Sequence, residues 1–459
     1  MNISNVIARR HQDLSRWGVV AALTALGPLF VWEVTQDRWR DAAIYVLLAF
    51  VPVVIRWPIM STFSLYALLI PFDSVSVISG SGGTTLTKVF GLVSVAGLFV
   101  AGFMGRRLVR PPRAALWWGA FVLWAVVGAA WAVNSQAVYG RLSSMLSFFL
   151  LYLAAICVRP SRLEFYTASA FLTIGGAAAA LVTYVHGPDE AAWAARGAIV
   201  MGEATSNPNQ LGMALVMPFA LAIAGSLSLP RVSHRMVSGA SVLLIVLGLY
   251  ASGSRGAFVG ALLALTVFVL RVGVRRQVVA VMAGLVIVTA TVPNTVFTRV
   301  EAIYAGKDTT GSGRTDIWDV AVTQLGRYGL FGAGLDNFPL VHMQQVNKYK
   351  GAHNTYLAML IELGVVGLVL MLAAIASHLL AARRARHVIG GDAMLAAVEG
   401  GCFGMLAIMF FTDEIWTKAF WLAWILLTWA SSFAHRRAES SDHQSMYGVG
   451  LTRALTPRR

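Results

Sequence analysis

Apolar segments of about 15 to 25 residues recur along most of this chain, separated by short polar stretches. A helix needs about 20 apolar residues to cross the hydrocarbon core of a bilayer. Only 12% of the 459 residues are charged, whereas globular domains carry about 25%. The pattern excludes an ordinary soluble protein and predicts an all-α polytopic membrane protein with about twelve to fourteen transmembrane helices. The candidate spans are 17–33, 42–55, 58–72, 89–104, 114–133, 142–158, 164–185, 209–229, 236–252, 257–271, 278–293, 354–381, 393–412 and 415–434.

The formal net charge of +15 is the kind of balance that nucleic-acid-binding proteins show. Here, however, the basic residues stand in short clusters between apolar segments, as cytoplasmic loops do under the positive-inside rule. We therefore expect no nucleic-acid partner, and we place the basic loops and both termini, 1–16 and 435–459, in the cytoplasm. The clusters are Arg106–Arg113, Arg159–Arg162, Arg231–Arg235, Arg271–Arg276 and Arg383–Arg386.

The opposite face of the predicted bundle carries two longer loops. A transmembrane bundle at 17–293 contains the external loop 186–208, and a loop of about sixty residues at 294–353 precedes the C-terminal helices of 354–434. Loops of that length in a compact protein are usually functional. Within the larger loop the pattern predicts a helix around Thr315–Leu325.

Arginines on this external face need a reason, because the positive-inside rule disfavours them there. The predicted external arginines are Arg141, Arg196, Arg255, Arg314 and Arg327. Arg255 lies in a glycine-flanked break between two spans, Ser252–Gly256, where a ligand can approach the backbone closely. A guanidinium suits phosphate oxygens bidentately, but an arginine at a membrane boundary also snorkels or pairs with a loop carboxylate. Both interpretations stay open for any single arginine. The presence of both Arg196 and Arg255 on this face favours a phosphate-binding site.

His353 ends the larger loop, and Asn354 is a suitable N-cap for the helix that follows. A helix N-terminus disfavours the protonated imidazole, so His353 is a candidate base, with an inert interfacial histidine as the alternative. Glu362 lies 2.5 turns further along that helix, by about 3.6 residues per turn, and points away from His353, so we assign it a structural partner. Asp316 and Asp319 have helical spacing and fit a solvated face.

Several motifs are absent from the sequence. It contains no Asp-x-Asp, no His-Glu-x-x-His, no Walker A loop and no dinucleotide fingerprint. We therefore expect neither a catalytic metal nor a nucleotide cofactor.

Four short motifs, taken together, resemble the O-antigen ligase and polymerase superfamily of bacterial membrane glycosyltransferases. They stand in the family's order between about 190 and 410. The motifs are Ser252-Gly253-Ser254-Arg255-Gly256-Ala257, Gly311-Ser312-Gly313-Arg314 with Trp318, Gly332-Ala333-Gly334, and His353-Asn354-Thr355-Tyr356-Leu357 with Glu362-Leu363-Gly364.

The resemblance implies a GT-C-like enzyme of the Gram-negative inner membrane whose active site faces the periplasm, with 294–353 as its large periplasmic loop. It implies a glycan donor on undecaprenyl pyrophosphate and, in a ligase, a sugar hydroxyl of lipid A–core oligosaccharide as acceptor, with no cofactor. A ligase is the first interpretation and a polymerase the second. A transporter of lipids or anions, which could also use arginines, is the rival from another class.

The resemblance also implies roles for individual residues. The family's essential histidine and arginines match His353, Arg196 and Arg255. The remaining positions expected to bind the pyrophosphate or the glycan are Arg141, Arg314, Ser254, Asn354 and Tyr356.

Overall fold

The computed structural model describes residues 50–77, 85–186, 188–189, 196–201, 204–273, 313–413 and 415–434. Three of the predictions lie outside these residues: the span 17–33, the span 278–293 and the placement of the two termini. The remainder confirms a helical polytopic membrane protein.

Helices account for nearly all of the regular structure in the described ranges, and the strands form two small hairpins. The helices, in chain order, are α1 (Phe50–Arg56), α2 (Ile59–Phe72), α3 (Leu86–Phe103), α4 (Arg113–Ala130), α5 (Ser135–Ile156), α6 (Arg162–His186), α7 (Pro208–Ser228), α8 (Val232–Ser252), α9 (Arg255–Val272), α10 (Arg314–Thr323), α11 (Leu325–Tyr328), α12 (Phe338–Val346), α13 (Thr355–Glu362), α14 (Gly364–Ile389), α15 (Ala393–Ile408) and α16 (418–434). The strands are β1 (Pro188–Asp189), β2 (Arg196–Gly197), β3 (Val200–Met201) and β4 (Ala204–Thr205), with β1 paired to β2 and β3 paired to β4.

Eight of the described helices, α3 to α9 and α14, are long and apolar enough to cross a membrane. The pair α1 and α2 forms a ninth candidate that is bent by 120° next to Pro58, a residue whose missing N–H favours a break. The hydropathy pattern located most of these spans within a few residues, although α5 begins at Ser135, seven residues before the predicted start at 142. For example, it predicts 257–271 where the structure has Arg255–Val272.

The predicted span 354–381 is two helices rather than one. The chain breaks at Leu363, and Gly364 takes a φ of 69°. A Cβ on Gly364 would lie 2.2 Å from the carbonyl oxygen of Leu330, so the large loop packs directly into the break. The indole N–H of Trp124 in α4 donates to the carbonyl of Leu363 at 2.8 Å. This hydrogen bond satisfies the carbonyl group of Leu363 at the break.

Helices α9 and α15 approach each other closely because glycines line their interface. A Cβ on Gly404 would lie 2.5 Å from the carbonyl oxygen of Gly260, and one on Gly256 would lie 3.0 Å from the Cβ of Phe411. Small residues permit this backbone contact between membrane helices. The packing sets the first turn of α9 beside the segment that follows α15.

The arginine clusters converge on one end of the bundle, called here the basic end. Leu108 and Val158 form a β-bridge between two of the predicted basic loops. Arg107 pairs with Glu164 across the same loops. Arg386 and Arg271 both pair with the buried Glu399, at 3.1 and 3.6 Å.

The opposite end, called here the loop end, carries the described parts of the two external loops. The predicted helix in the larger loop is observed as α10. Ile317 of α10 and Phe338 of α12 are buried in the hydrophobic core, so the helices of this loop pack against the bundle. In the smaller loop Asn207 caps α7, accepting the N–H of Asn209 at 2.9 Å, so the end of this loop is the start of a helix. Both loops therefore bring polar residues to the same end of the molecule.

Candidate functional site

His353 lies at the loop end, in the turn between α12 and α13, and three contacts fix that turn. Its backbone N–H donates to Oδ2 of Asp413 at 3.2 Å. Two residues later, Thr355 donates its N–H to the carbonyl of Met409 at 2.8 Å. On the other side the indole N–H of Trp318 in α10 donates to the carbonyl of Ala352 at 3.0 Å. The histidine is thus held between α10 and the segment that follows α15.

Burial of the imidazole favours its neutral form. The protein packed around the ring removes part of its water, and this is the largest cause of the lowered pKa of His353. The carboxylate of Asp413 opposes this effect, whereas the positive charges of Arg314 and Lys350 lower the pKa further. A neutral imidazole can accept a proton. The position of His353 at a helix N-terminus led us to expect the neutral form, and in the structure its largest cause is the loss of water on burial.

Asp413 is the residue of this site that sequence reasoning missed. It accepts hydrogen bonds from the backbone N–H groups of His353 and Asn354, and burial raises the pKa of its carboxyl. The charges of His353 and Arg141 oppose that rise. A signal was available, because Asp413 is an acidic residue in the two-residue gap between two predicted spans on the external face.

Arg255 and Arg314 begin two helices that converge on the same place. Arg255 is the first residue of α9, behind the buried N-cap Ser254, whose hydroxyl accepts the N–H of Ala257 at 3.4 Å. Arg314 is the first residue of α10 and follows Gly313, which has a φ of 74°. Burial lowers the pKa of Arg314, and the charge of Arg255 lowers it further, while Asp413 raises it. Two guanidinium groups at helix N-termini form an environment that favours an anion.

Arg141, in the first turns of α5, closes the other side of the site. Its guanidinium pairs with Oδ1 of Asp336 at 2.8 Å and lies 5.3 Å from the ring centre of Trp416. The backbone N–H groups of Asp336 and Phe338 donate to the carboxylate of Glu362, at 2.9 and 3.3 Å. Glu362 therefore has the structural partner that we expected, a turn of the large loop, and it does not contact His353.

Arg196 is placed only by its backbone. It lies in β2, opposite Asp189. A Cβ on the next residue, Gly197, would lie 3.0 Å from the Cβ of Ala251, near the end of α8. The main chain at Arg196 thus runs beside the segment that leads to Arg255. Its side chain lies outside the described part of the structure, so its role stays a prediction.

Two other predicted residues have structural contacts. The side chain of Asn354 caps α13, accepting the N–H of Leu357 at 3.1 Å, as predicted. The hydroxyl of Tyr356 donates to the carbonyl of Leu406 at 2.8 Å and its ring packs on Phe410, so it fastens α13 to α15. Their contact with a substrate stays a prediction. Asp316 and Asp319 are exposed on α10, as expected for a solvated face.

The structure therefore brings together one histidine, one carboxylate and three arginines: His353, Asp413, Arg141, Arg255 and Arg314. When the imidazole is neutral, the three positive charges of the arginines exceed the two negative charges of Asp413 and of Asp336, which pairs with Arg141. The arrangement offers a base next to a positively charged surface that can hold a polyanion.

The family model described as O-antigen ligase matches residues 240–372 of this chain. The matched segment contains Arg255, Arg314 and His353, whereas Arg141 and Asp413 lie outside it. No curated protein matched the chain.

Proposed function

We propose that this chain, as a member of the O-antigen ligase and polymerase superfamily, is an O-antigen ligase that transfers a polysaccharide from undecaprenyl pyrophosphate to a sugar hydroxyl of lipid A–core oligosaccharide. The family consists of glycosyltransferase-like enzymes of the membrane. One observation carries the proposal: His353, tethered to Asp413, lies beside Arg255 and Arg314 inside the segment that matches the family.

In this proposal the histidine activates the acceptor. A sugar hydroxyl is a poor nucleophile, and a general base contributes about 10²–10⁴-fold to such a transfer. Neutral His353 takes the proton of the acceptor hydroxyl as its oxygen attacks the anomeric carbon of the donor. The bond from that carbon to the pyrophosphate oxygen breaks, and undecaprenyl pyrophosphate leaves. Direct displacement of this kind inverts the anomeric configuration.

The arginines stabilise the leaving group. Pyrophosphate departs as an anion, so groups that hold its developing charge lower the barrier. Arg255 and Arg314 are close enough to affect each other electrostatically, and an anion between them would relieve their repulsion. A hydrogen bond to a charged group contributes about 1.5–3 kcal/mol. Arg196 and Arg141 complete this set in the proposal.

Fixed cationic side chains can neutralise the pyrophosphate without a metal ion, so the proposed transfer is metal-independent. Activity in EDTA should equal activity without it. Loss of activity in EDTA, restored by magnesium or manganese, would contradict this part of the proposal.

The test is transfer by purified protein in nanodiscs, supplied with undecaprenyl-pyrophosphate glycan and lipid A–core and resolved by gel. His353→Ala should abolish transfer while donor binding persists. His234→Ala is the matched control, because His234 is exposed on α8, at the basic end, and it should retain transfer. Glycan on lipid A–core that depends on His353 supports a ligase.

The same assay separates the alternatives. A polymerase would join donor glycans to one another and leave lipid A–core unmodified. A transporter of lipids or anions would leave both substrates chemically intact. Either result would overturn the ligase proposal.

A further inference from the structure

The basic end of the molecule, opposite His353, contains a cavity of about 830 Å³. Ligand sites in proteins are typically about 300–1,000 Å³. The cavity lies between the ends of α4, α5, α14 and α16 and takes no part in the proposed transfer. Its wall combines arginines with apolar side chains.

Four arginines line this cavity, and none of its other described lining residues is a carboxylate: the arginines are Arg110, Arg113, Arg159 and Arg384. All four are exposed. Other arginines at the basic end are neutralised by buried glutamates, since Arg107 pairs with Glu164 and Arg386 with Glu399. No described carboxylate forms a salt bridge with any of the cavity arginines. Among the described residues, their charges therefore converge on the cavity without a salt-bridge partner.

The inner part of the cavity is apolar and has few free polar groups. Ile156 and Trp429 are buried in its wall, and Leu380 lines it with 51% of its surface exposed. His378 also lines it, but both ring nitrogens are engaged, one with the hydroxyl of Tyr152 at 2.9 Å and the other with that of Thr428 at 3.1 Å. The histidine is thus a satisfied part of the wall. Exposed Leu380 connects the apolar wall to the outer surface of the bundle.

We propose that this cavity binds an anionic membrane lipid, with the phosphate of the headgroup held by the four arginines and part of an acyl chain against the apolar wall. Basic pockets between transmembrane helices bind lipid headgroups in this way. Guanidinium groups match phosphate oxygens bidentately. The apolar wall and the exposed Leu380 favour a lipid over a free phosphate, because inorganic phosphate has no apolar group that could pack against them.

The experiment measures lipid binding by native mass spectrometry of the full chain released from detergent. The probes are dioleoyl phosphatidylglycerol and, as a zwitterionic comparison, dioleoyl phosphatidylcholine. One phosphatidylglycerol should bind at least tenfold more tightly than phosphatidylcholine. Sodium phosphate and sn-glycerol 3-phosphate, added separately, show whether the headgroup alone is sufficient.

Two sets of substitutions separate this cavity from the general positive charge of the basic end. The cavity variant should weaken phosphatidylglycerol binding at least tenfold, and the control variant, which removes the same number of exposed charges elsewhere at that end, should weaken it less than threefold. The cavity variant combines Arg110→Gln, Arg113→Gln, Arg159→Gln and Arg384→Gln, and the control combines Arg106→Gln, Arg231→Gln, Arg235→Gln and Arg383→Gln.

A third variant keeps every charge. Ala381 lines the cavity, so Ala381→Phe should fill it and abolish the tight phosphatidylglycerol site, even if the fourfold variant fails to fold. Equal weakening by the control set, or equal affinity for phosphatidylcholine, would overturn the proposal. So would soluble phosphate that competes as well as the lipid, or a folded Ala381→Phe protein that binds phosphatidylglycerol normally.

Discussion

At His353 the backbone has a φ of 49°, a conformation that side chains other than glycine seldom adopt. Such a residue costs on the order of 1–3 kcal/mol unless its surroundings hold it. The hydrogen bond to Asp413 and the Trp318 bond to Ala352 supply that support. A strained backbone fixed by a carboxylate is consistent with a site whose geometry matters.

Removing the side chain of Asp413 tests this positioning role. Asp413→Ala deletes the acceptor for the backbone N–H of His353, and a misplacement of about 1 Å can cost 10²-fold in rate. We expect transfer to fall by about 10–100-fold with donor binding retained. Asp413→Asn, which keeps one acceptor oxygen, should recover part of the loss. Steady-state transfer by the purified variants measures both.

The control for Asp413 is Asp316→Ala, which removes an exposed carboxylate from α10 at the same end. It should leave transfer within about twofold of the native rate, as exposed charges contribute little. Equal losses from the two substitutions would show that the effect is one of overall charge.

The pH profile of transfer should reflect the environment of His353. As a general base the ring must be neutral, so activity falls as pH drops through its pKa. Because that pKa is lowered, the acidic limb should lie below the ordinary value of about 6.5. Lys350→Gln removes a positive charge that lowers the pKa, so the pKa rises and the acidic limb moves to higher pH.

Lys348→Gln is the matched control for this shift, because Lys348 is also exposed and close in sequence but does not contribute to the lowered pKa of His353. The measurement is kcat/KM for transfer as a function of pH. An acidic limb that is the same in the native protein and Lys350→Gln would show that His353 is not the titrating base.

The sequence was sufficient to select Arg255, Arg314 and His353, because each follows a break whose composition is visible in a short window. It was not sufficient to find Asp413, since the partner of His353 is 60 positions away and only tertiary packing brings it close. Tyr356 also has a contact that the sequence does not reveal, because its hydroxyl donates to the carbonyl of Leu406, 50 positions away.

At the scale of elements, the turn that carries Asp336 depends on Glu362. The carboxylate accepts two backbone N–H groups, from Asp336 and Phe338, and the same turn presents Asp336 to Arg141. Glu362→Ala leaves two buried donors without an acceptor, and each costs about 1–3 kcal/mol. We expect the variant to lose about 2–4 kcal/mol of unfolding free energy and to show a lower Tm.

Thermal unfolding followed by tryptophan fluorescence in detergent measures the effect of Glu362→Ala. Asp319→Ala, at an exposed acid of α10, should leave the Tm unchanged. A Glu362→Ala protein with the native Tm and no transfer activity would instead place Glu362 among the reacting groups.

Hydropathy predicted the single helices well and the broken ones poorly. A run such as 257–271 is apolar throughout and bounded by polar residues, so its limits are visible in the sequence. The break at Leu363 lies between Glu362 and Gly364, but a single charge and a single glycine do not interrupt the apolar run in which they stand. At the break the loop packs against Gly364 through Leu330, a long-range contact that hydropathy does not report. Local pattern therefore finds membrane helices and misses the interruptions that tertiary contacts impose.

At the scale of the whole molecule, the two ends differ in chemistry while sharing one helical frame. Among the described spans, helix α7 is the most enclosed, because 83% of its apolar segment is buried inside the protein. The basic end gathers arginines around Glu164, Glu399 and a cavity. The loop end gathers His353, Asp413 and three arginines. The frame thus separates the proposed transfer site from the proposed lipid site by the thickness of the membrane.

This separation predicts which residues each side of the membrane can reach. The positive-inside rule predicts that the basic end lies in the cytoplasm and that the loop end faces the periplasm. In a chain whose two cysteines are replaced by alanine, Asp319→Cys at the loop end should react with a membrane-impermeant maleimide on intact spheroplasts. Arg231→Cys at the basic end should react only after detergent is added. Both positions are exposed, so a failure to react reports the membrane rather than burial. Labelling of Arg231→Cys in intact spheroplasts, with protection of Asp319→Cys, would invert the orientation and remove the periplasmic glycan from reach of His353.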